Sequence, residues 1–103
     1  MDRFQKLAAD HAEWSQSQFG SDLERDWTGP LAHMRKEIAE VEEQPFDRDE
    51  WADMLLLLLD ASRRSGLNAT GLILAAEYKL SINKNRIWGD PNPDGSVEHI
   101  RAT

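Results

Sequence analysis

The sequence predicts an all-α fold, an antiparallel four-helix bundle-like subunit with an irregular C-terminal tail. Three observations support this prediction. Apolar residues recur with the 3.6-residue period of a helix in four segments, and the connections between these segments are short. A helix-terminating residue follows each of the first three segments, namely Gly20, Pro45 and Gly66. Nothing in the pattern indicates a convincing β-sheet. Because short connections favour antiparallel neighbours, we expect the helices to pack as a bundle.

The first two helices are expected at residues 2–19 and 30–44. Thr28 is a candidate cap for the second helix, and Pro30 suits its first turn, where the missing N–H costs nothing. The apolar residues that follow the helical period in helix one are Phe4, Leu7, Ala8, Ala12, Trp14 and Phe19. The buried stripe expected in helix two is Leu31, Met34, Ile38 and Val41.

The third helix is expected at 48–65 and the fourth at 69–87. Asp47 and Glu50 have the spacing of a capping box at the start of helix three. The middle of this helix, Met54–Leu59, is apolar on every side, so protein should surround it. Since a chain of 103 residues has little protein with which to do so, we expect another subunit to cover one face. The candidate caps of helix four are Asn68 and Thr70, and its expected inward-facing residues are Leu72, Ile73, Ala76, Leu80 and Ile87.

Length and composition restrict the class of protein. The chain has 103 residues, no cysteine, 19 acidic residues against 12 basic ones and a net charge of −7. This length predicts one domain, which we place at 1–88, with a tail at 89–103. The lack of cysteine excludes a disulfide framework or a thiolate metal site and fits a reducing cytosol. The negative charge argues against non-specific binding to nucleic acid or to an anionic membrane. We expect neither a signal peptide nor a membrane span, because the apolar runs are too short.

Acidic residues on helices two and three are spaced to converge. Glu37 and Glu40 are three apart and share a face, Glu50 and Asp53 repeat this spacing, and Asp60 lies two turns further along. If the helices pack antiparallel, these carboxylates meet, and their mutual repulsion calls for protons or a cation. An all-oxygen ligand set favours Mg²⁺ or Mn²⁺ over Zn²⁺. The alternative is that these pairs lie on solvated faces and that Glu50 is only a cap.

Helix four carries a second polar group of residues. Lys79, Asn83 and Arg86 follow the spacing i, i+4 and i+7, which places them on one stripe. Arginine forms forked hydrogen bonds with phosphate oxygens, and lysine offers a point charge. The alternative is an exposed basic end that complements the helix dipole. Combined with an acidic metal cluster, the stripe indicates a metal–polyphosphate site.

These motifs together resemble a known family. The stretches that carry the resemblance are Glu37-x-x-Glu40, Glu50-x-x-Asp53, Lys79–Trp88, Gly29–Glu40 and Val97–Arg101. The paired acidic motifs and the basic-Asn-Arg segment are similar to those of the MazG-like all-α nucleoside triphosphate pyrophosphohydrolases. The last two stretches resemble the small dATP/dGTP pyrophosphohydrolase branch found in phages and bacteria. The resemblance covers nearly the whole chain.

The resemblance implies an enzyme that hydrolyses purine (deoxy)nucleoside triphosphates, with dGTP and dATP favoured, to monophosphate and pyrophosphate, and so controls the nucleotide pool. It implies Mg²⁺ or Mn²⁺ as cofactor and a homodimer or homotetramer in the cytoplasm of a bacterial or phage-infected cell. The metal ligands and catalytic carboxylates that it implies are Glu37, Glu40, Glu50 and Asp53, with Asp60 secondary. The residues that it implies for the triphosphate are Lys79, Asn83 and Arg86.

The candidates for a base pocket are Trp14, Gln18 and Phe19, which would act by stacking and amide recognition. The alternative for the aromatic residues is packing in the core. No role is predicted for the histidines His11, His33 and His99. The competing function is a non-catalytic all-α interaction module whose leucine-rich third helix is a dimer seam. The expected partners are a (d)NTP and further copies of the chain, with no nucleic acid and no membrane.

Overall fold

The computed structural model describes residues 1–101 and contains four α-helices and one short ribbon. The elements are α1 (Arg3–Phe19), α2 (Thr28–Glu43), α3 (Arg48–Arg64), α4 (Ala69–Lys84), β1 (Ile87–Trp88) and β2 (His99–Ile100). The four predicted helices are confirmed, and each of their ends lies within three residues of its predicted position. The tail differs from its prediction, because β1 and β2 pair as antiparallel strands, with Ile87 opposite Ile100 and Trp88 opposite His99.

The helix ends follow local hydrogen-bonding chemistry. The Asp2 side chain accepts from the backbone N–H of Gln5, and the Gln5 side chain accepts from the N–H of Asp2, so α1 begins with a capping box. Gly20 and Gly66 follow α1 and α3 with φ of +108° and +101°, a conformation that a side chain disfavours. At the start of α4, the Asn68 side chain accepts from the N–H of Gly71, which selects Asn68 over the other predicted cap.

One other predicted cap and one predicted capping box are wrong. Thr28 is the first residue of α2 rather than its cap, and the Asp26 carboxylate accepts both its N–H and its hydroxyl. The carboxylate of Asp47 does cap α3, since it accepts the N–H of Asp49. The Glu50 side chain does not complete a capping box with Asp47, because it is turned towards the acidic residues of α2.

The chain divides into two compact units, and the first of them, Met1–Leu72, is held together by α3. Within this unit α3 packs against α2 and against α1. The fully buried apolar residues are Val41, Leu59 and Ala61, and the buried polar ones are His11, Ser15, Glu37, Asp60 and Arg64. Charged side chains are seldom buried unless they are paired or bound to a metal. The buried charged residues therefore make the interior of this unit the candidate functional region.

The buried stripe of α2 differs from its prediction. Val41 is buried as expected, but Ile38 is exposed and the acidic Glu37 is buried in its place. The helix is therefore rotated so that an acidic residue, rather than a continuous apolar stripe, faces the other helices of the unit.

The second unit runs from Ile73 onwards and contains most of α4 and the ribbon. The indole N–H of Trp88 donates to the carbonyl of Asn83 at 2.8 Å, and the Trp88 ring meets the His99 ring edge-on. None of the residues of α4 is buried, so the prediction that its apolar residues face inward does not hold within one copy of the chain. No helix among residues 1–101 combines the length and the apolar character that crossing a membrane requires.

Candidate active site

Three carboxylates from two helices meet in the first unit. Glu37 and Glu40 on α2 and Glu50 on α3 each place an oxygen within 4.8 Å of the others, and we call this group the carboxylate cluster. The turn between the helices contains only residues 44–47, so α2 and α3 fold back on each other and these positions come face to face. The structure therefore brings together three of the predicted site residues.

The carboxylate cluster lacks the partners that its charges require. Glu37 is only 3 % exposed, and with all groups ionised its Oε1 and the Oε2 of Glu50 are shielded without a hydrogen-bond partner. The pKa of Glu50 is raised to about 7, chiefly because its protonated form can donate a hydrogen bond to the Glu37 carboxylate, then by desolvation and by Glu40. A hard divalent cation would satisfy these shielded oxygens and remove the repulsion that raises the pKa of Glu50, so the cluster fits Mg²⁺ or Mn²⁺.

The other two predicted acidic ligands lie outside this group of three. Asp53, one turn beyond Glu50 on α3, is exposed and lines a neighbouring cavity. Asp60 is buried, and its Oδ1 accepts from the Ser15 hydroxyl at 2.6 Å and from Arg63 at 2.6 Å. Burial raises the pKa of Asp60, but the hydrogen bonds from Ser15 and Arg63 and the neighbouring arginine charges outweigh it and lower the pKa. In this structure the Asp60 carboxylate is thus already neutralised by protein groups.

The neighbouring cavity has a volume of about 180 Å³, and we call it the aromatic cleft. The residues that line it are His11, Trp14, Phe19, His33, Asp53, Leu56, Leu57 and Asp60. The rings of Trp14 and Phe19 meet edge-to-face with centroids 5.4 Å apart. Two of the three predicted base-pocket residues therefore line the cleft, whereas Gln18 is exposed and does not line it. Asp53 also lines the cleft and, one turn from Glu50, connects it with the carboxylate cluster.

Sequence reasoning assigned no role to two buried residues near the cleft. His11 is 9 % exposed, and its ring lies 6.0 Å from the Trp14 ring; burial lowers the pKa of His11. The signal that could have identified it is its position three residues before Trp14, which places both on one face of α1. The side chain of Arg64 is 1 % exposed, and no spacing rule distinguishes it from the partly exposed Arg63 beside it.

The predicted triphosphate-binding residues lie in the second unit. Lys79 is exposed, and the carbonyl of Asn83 is occupied by the Trp88 indole. Because α4 ends at Lys84, Arg86 lies beyond the helix. The three residues therefore do not form the single helical stripe that the sequence predicts.

A helical fold with converging carboxylates beside an aromatic cleft defines the class of MazG-like pyrophosphohydrolases. The chain aligns with a solved structure of this class, described as the cyanophage S-2L MazG-like pyrophosphohydrolase bound to dGDP and three catalytic Mn²⁺ ions per active site. The alignment has a TM-score of 0.76 and 31 % identity, and it covers 98 % of this chain and 100 % of the other. More narrowly, the chain belongs to the dATP/dGTP pyrophosphohydrolase family, whose profile matches residues 7–103.

Two curated phage proteins are similar in sequence. The chain is 40 % identical over 97 residues to the Eaa protein of Salmonella phage P22, and this alignment covers 94 % of the chain. It is 32 % identical over 71 residues to a dATP/dGTP diphosphohydrolase of Salmonella phage PMBT28, which covers 68 % of this chain. The matched regions make up 30 % and 23 % of those proteins, so the chain spans less than a third of the length of these relatives.

Proposed function

We propose that the chain hydrolyses dGTP and dATP to the nucleoside monophosphate and pyrophosphate, and that it does so with Mg²⁺ or Mn²⁺. The observation that carries this proposal is the carboxylate cluster, in which Glu37 and Glu50 hold shielded oxygens without partners. The dGDP and Mn²⁺ ions of the solved cyanophage relative support it. The phage relatives support a role in nucleotide-pool control in the cytoplasm of an infected or bacterial cell.

Each part of the site has a separate task in this proposal. Glu37, Glu40 and Glu50 hold the metal, and Asp53 contributes a fourth carboxylate at the side of the aromatic cleft. A divalent cation held there would neutralise the phosphate charges and lower the pKa of a water for attack on the α-phosphorus, where the bond to the leaving pyrophosphate would break. One of these four carboxylates, or a neighbouring glutamate, would orient that water and accept its proton.

The base and the triphosphate of the substrate are matched to residues whose chemistry suits each of them. Trp14 and Phe19 offer the aromatic surfaces on which a base stacks. Lys79, Asn83 and Arg86 stay the proposed ligands of the triphosphate, as the sequence predicts, because cationic and amide groups bind phosphate oxygens.

A product assay tests the proposed reaction. The chain is incubated with Mn²⁺ and a panel of dNTPs and NTPs, and the products are separated by chromatography. We expect pyrophosphate and dNMP from dGTP and dATP, and no reaction when EDTA replaces Mn²⁺. Release of orthophosphate in place of pyrophosphate would contradict the reaction, and equal turnover of dCTP and dTTP would contradict the purine preference.

We also propose that the functional molecule is a homodimer or a homotetramer. On α3, Trp51, Leu55 and Leu58 follow the spacing i, i+4 and i+7 and are 54 %, 40 % and 42 % exposed, which leaves an apolar stripe uncovered. In the second unit, Leu74, Tyr78 and Leu80 are exposed as well. Contiguous exposed apolar surface marks a site of association, and a second copy of the chain supplies a matching apolar surface.

Sedimentation equilibrium tests the proposed association. We expect the wild-type chain to sediment as a dimer or a tetramer at micromolar concentration. The double substitution Leu55→Glu with Leu58→Glu should shift it to a monomer, because charges replace the apolar stripe at the interface. The matched control is Leu23→Glu, which introduces the same charge at a leucine that is 100 % exposed outside the stripe and should leave the mass unchanged. A monomeric wild-type chain would contradict the proposal.

A further inference from the structure

The aromatic cleft contains one buried side chain, His11, whose ring nitrogens make no hydrogen bond among residues 1–101. His11 is more than nine-tenths buried, it lines the cleft, and its Nδ1 is shielded from solvent without a hydrogen-bond partner. The ring's other nitrogen, Nε2, is not among the shielded unpartnered atoms of residues 1–101 and makes none of their hydrogen bonds. Because Nδ1 is shielded, Nε2 is the ring nitrogen that remains for a ligand in the cleft that His11 lines.

The burial of Nδ1 determines which nitrogen carries the proton. A neutral imidazole has one N–H donor and one acceptor nitrogen, whereas the charged form has two donors. Orphaned buried N–H groups are rarer than under-satisfied acceptors, so the unpartnered Nδ1 favours the form in which it has no hydrogen. Burial also disfavours the charged ring. We therefore assign the proton to Nε2, which gives His11 a hydrogen-bond donor for a ligand in the cleft.

The other polar side chains of the cleft do not supply such a donor from a buried position. Ionised Asp53 only accepts hydrogen bonds, and the Oδ1 of Asp60 is occupied by Ser15 and the arginines. His33 lines the cleft too, but it is exposed and accessible to water. His11 is thus the group best placed to make a desolvated hydrogen bond to a ligand between Trp14 and Phe19.

We propose that the Nε2–H of His11 donates a hydrogen bond to N7 of the purine base and so selects purines over pyrimidines. Guanine and adenine both carry an acceptor at N7, whereas their six-position groups have opposite hydrogen-bonding character. A fixed donor therefore recognises the feature that dGTP and dATP share. This inference rests on the proposed function and adds to it a specificity-determining residue.

Substrates that lack N7 test the inference. The measured quantity is kcat/KM for dGTP and for 7-deaza-dGTP, in which a C–H replaces N7, with the matching dATP pair as a repeat. The variants are His11→Phe, which keeps a ring against Trp14 without a donor, and His11→Gln, whose amide restores a donor near Nε2. His33→Phe is the matched control from the same cleft, and circular dichroism verifies that each variant is folded.

We expect the loss of N7 to lower kcat/KM of the wild-type chain by roughly 3- to 10-fold, the value of one neutral hydrogen bond. His11→Phe should lower kcat/KM for dGTP by the same factor and leave kcat/KM for 7-deaza-dGTP at its wild-type value. His11→Gln should recover part of the discrimination between the two substrates. His33→Phe should keep the wild-type ratio of kcat/KM between dGTP and 7-deaza-dGTP, whatever its effect on the overall rate.

Two results would overturn the inference. One is a His11→Phe variant that still prefers dGTP to 7-deaza-dGTP, and the other is a wild-type chain that turns over both equally. A wild-type chain that releases no pyrophosphate from any dNTP would instead contradict the proposed function. In that case the same pairs are compared by the shift in melting temperature that each nucleotide produces, and an equal shift for both members of a pair overturns the role of His11.

Discussion

Glu50→Gln is expected to remove the metal-dependent release of pyrophosphate. The substitution keeps the size of the side chain but removes one of three charges that converge within 4.8 Å. Loss of an outer-shell partner of a metal ligand costs roughly 10- to 100-fold in activity or affinity, so loss of a ligand should cost at least about 100-fold. The measurements are the initial rate of pyrophosphate release from dGTP and the Mn²⁺ concentration at half-maximal rate.

The same substitution should have the opposite effect on the metal-free chain. The pKa of Glu50 is raised from 4.5 to about 7 in the folded state, so the folded chain holds a proton that the unfolded chain has released. The contribution of this group to the free energy of unfolding is complete below about pH 4.5 and is lost as the pH rises through about 7. In EDTA at pH 8, Glu50→Gln should therefore melt at a higher temperature than the wild type, and the difference should shrink at pH 5.

A matched control separates this effect from a general change in charge. Glu42→Gln removes the same charge from an exposed position on α2 outside the carboxylate cluster. It should leave both the rate and the pH dependence of the melting temperature unchanged. A Glu50→Gln chain that keeps its activity, or that melts below the wild type in EDTA at pH 8, would contradict a metal role for this cluster.

Much of the fold follows from local signals in the sequence. The ends of α1 and α3 were predictable because Gly20 and Gly66 supply positive φ, and α2 ends before Pro45 because the preceding residue is forced out of the helical region. The meeting of Glu37, Glu40 and Glu50 was predictable as well. It requires only the three-residue spacing of acids on α2 and a turn too short to let the two helices separate.

The differences arise where tertiary contacts decide. Glu50 has the spacing of a capping residue, but the acidic residues of α2 determine where its side chain points. Asp60 flanks the apolar segment Met54–Leu59 of α3, where a buried charge needs a partner or a metal, yet three protein groups donate to its carboxylate. The burial of His11 depends on how α1 packs, which the helical period alone does not specify. The apolar residues of α4 indicate a buried face, but one copy of the chain does not provide the surface that covers them.

Arg64→Ala is expected to be the most destabilising single substitution in the first unit. The guanidinium donates to Asp60 and to the Ser15 hydroxyl, and its Nη1 also donates to three carbonyls of the loop that follows α1, those of Gly20, Ser21 and Arg25. Removal of one partner from a buried ionic network costs about 3–5 kcal/mol, because the remaining charge and the carbonyls lose their partners. In a domain of this size each kcal/mol lowers the melting temperature by about 4–8 °C, so the variant should melt at least 10 °C below the wild type.

Three further substitutions separate the contribution of the Arg64 charge, of its guanidinium geometry and of Asp60. Arg35→Ala removes an exposed arginine that has no ion pair among residues 1–101 and should change the melting temperature little. Arg64→Lys keeps the charge but loses the planar guanidinium with its several donors, so its stability should lie between those of the wild type and of Arg64→Ala. Asp60→Asn should also be destabilising, and its Mn²⁺ requirement should match that of Arg64→Lys if Asp60 acts through the arginines. A much weaker Mn²⁺ affinity in Asp60→Asn alone would support the predicted ligand role, because a metal ligand affects the ion directly. A residue that only anchors the loop between α1 and α2 affects the folded framework around the site and not the ion itself.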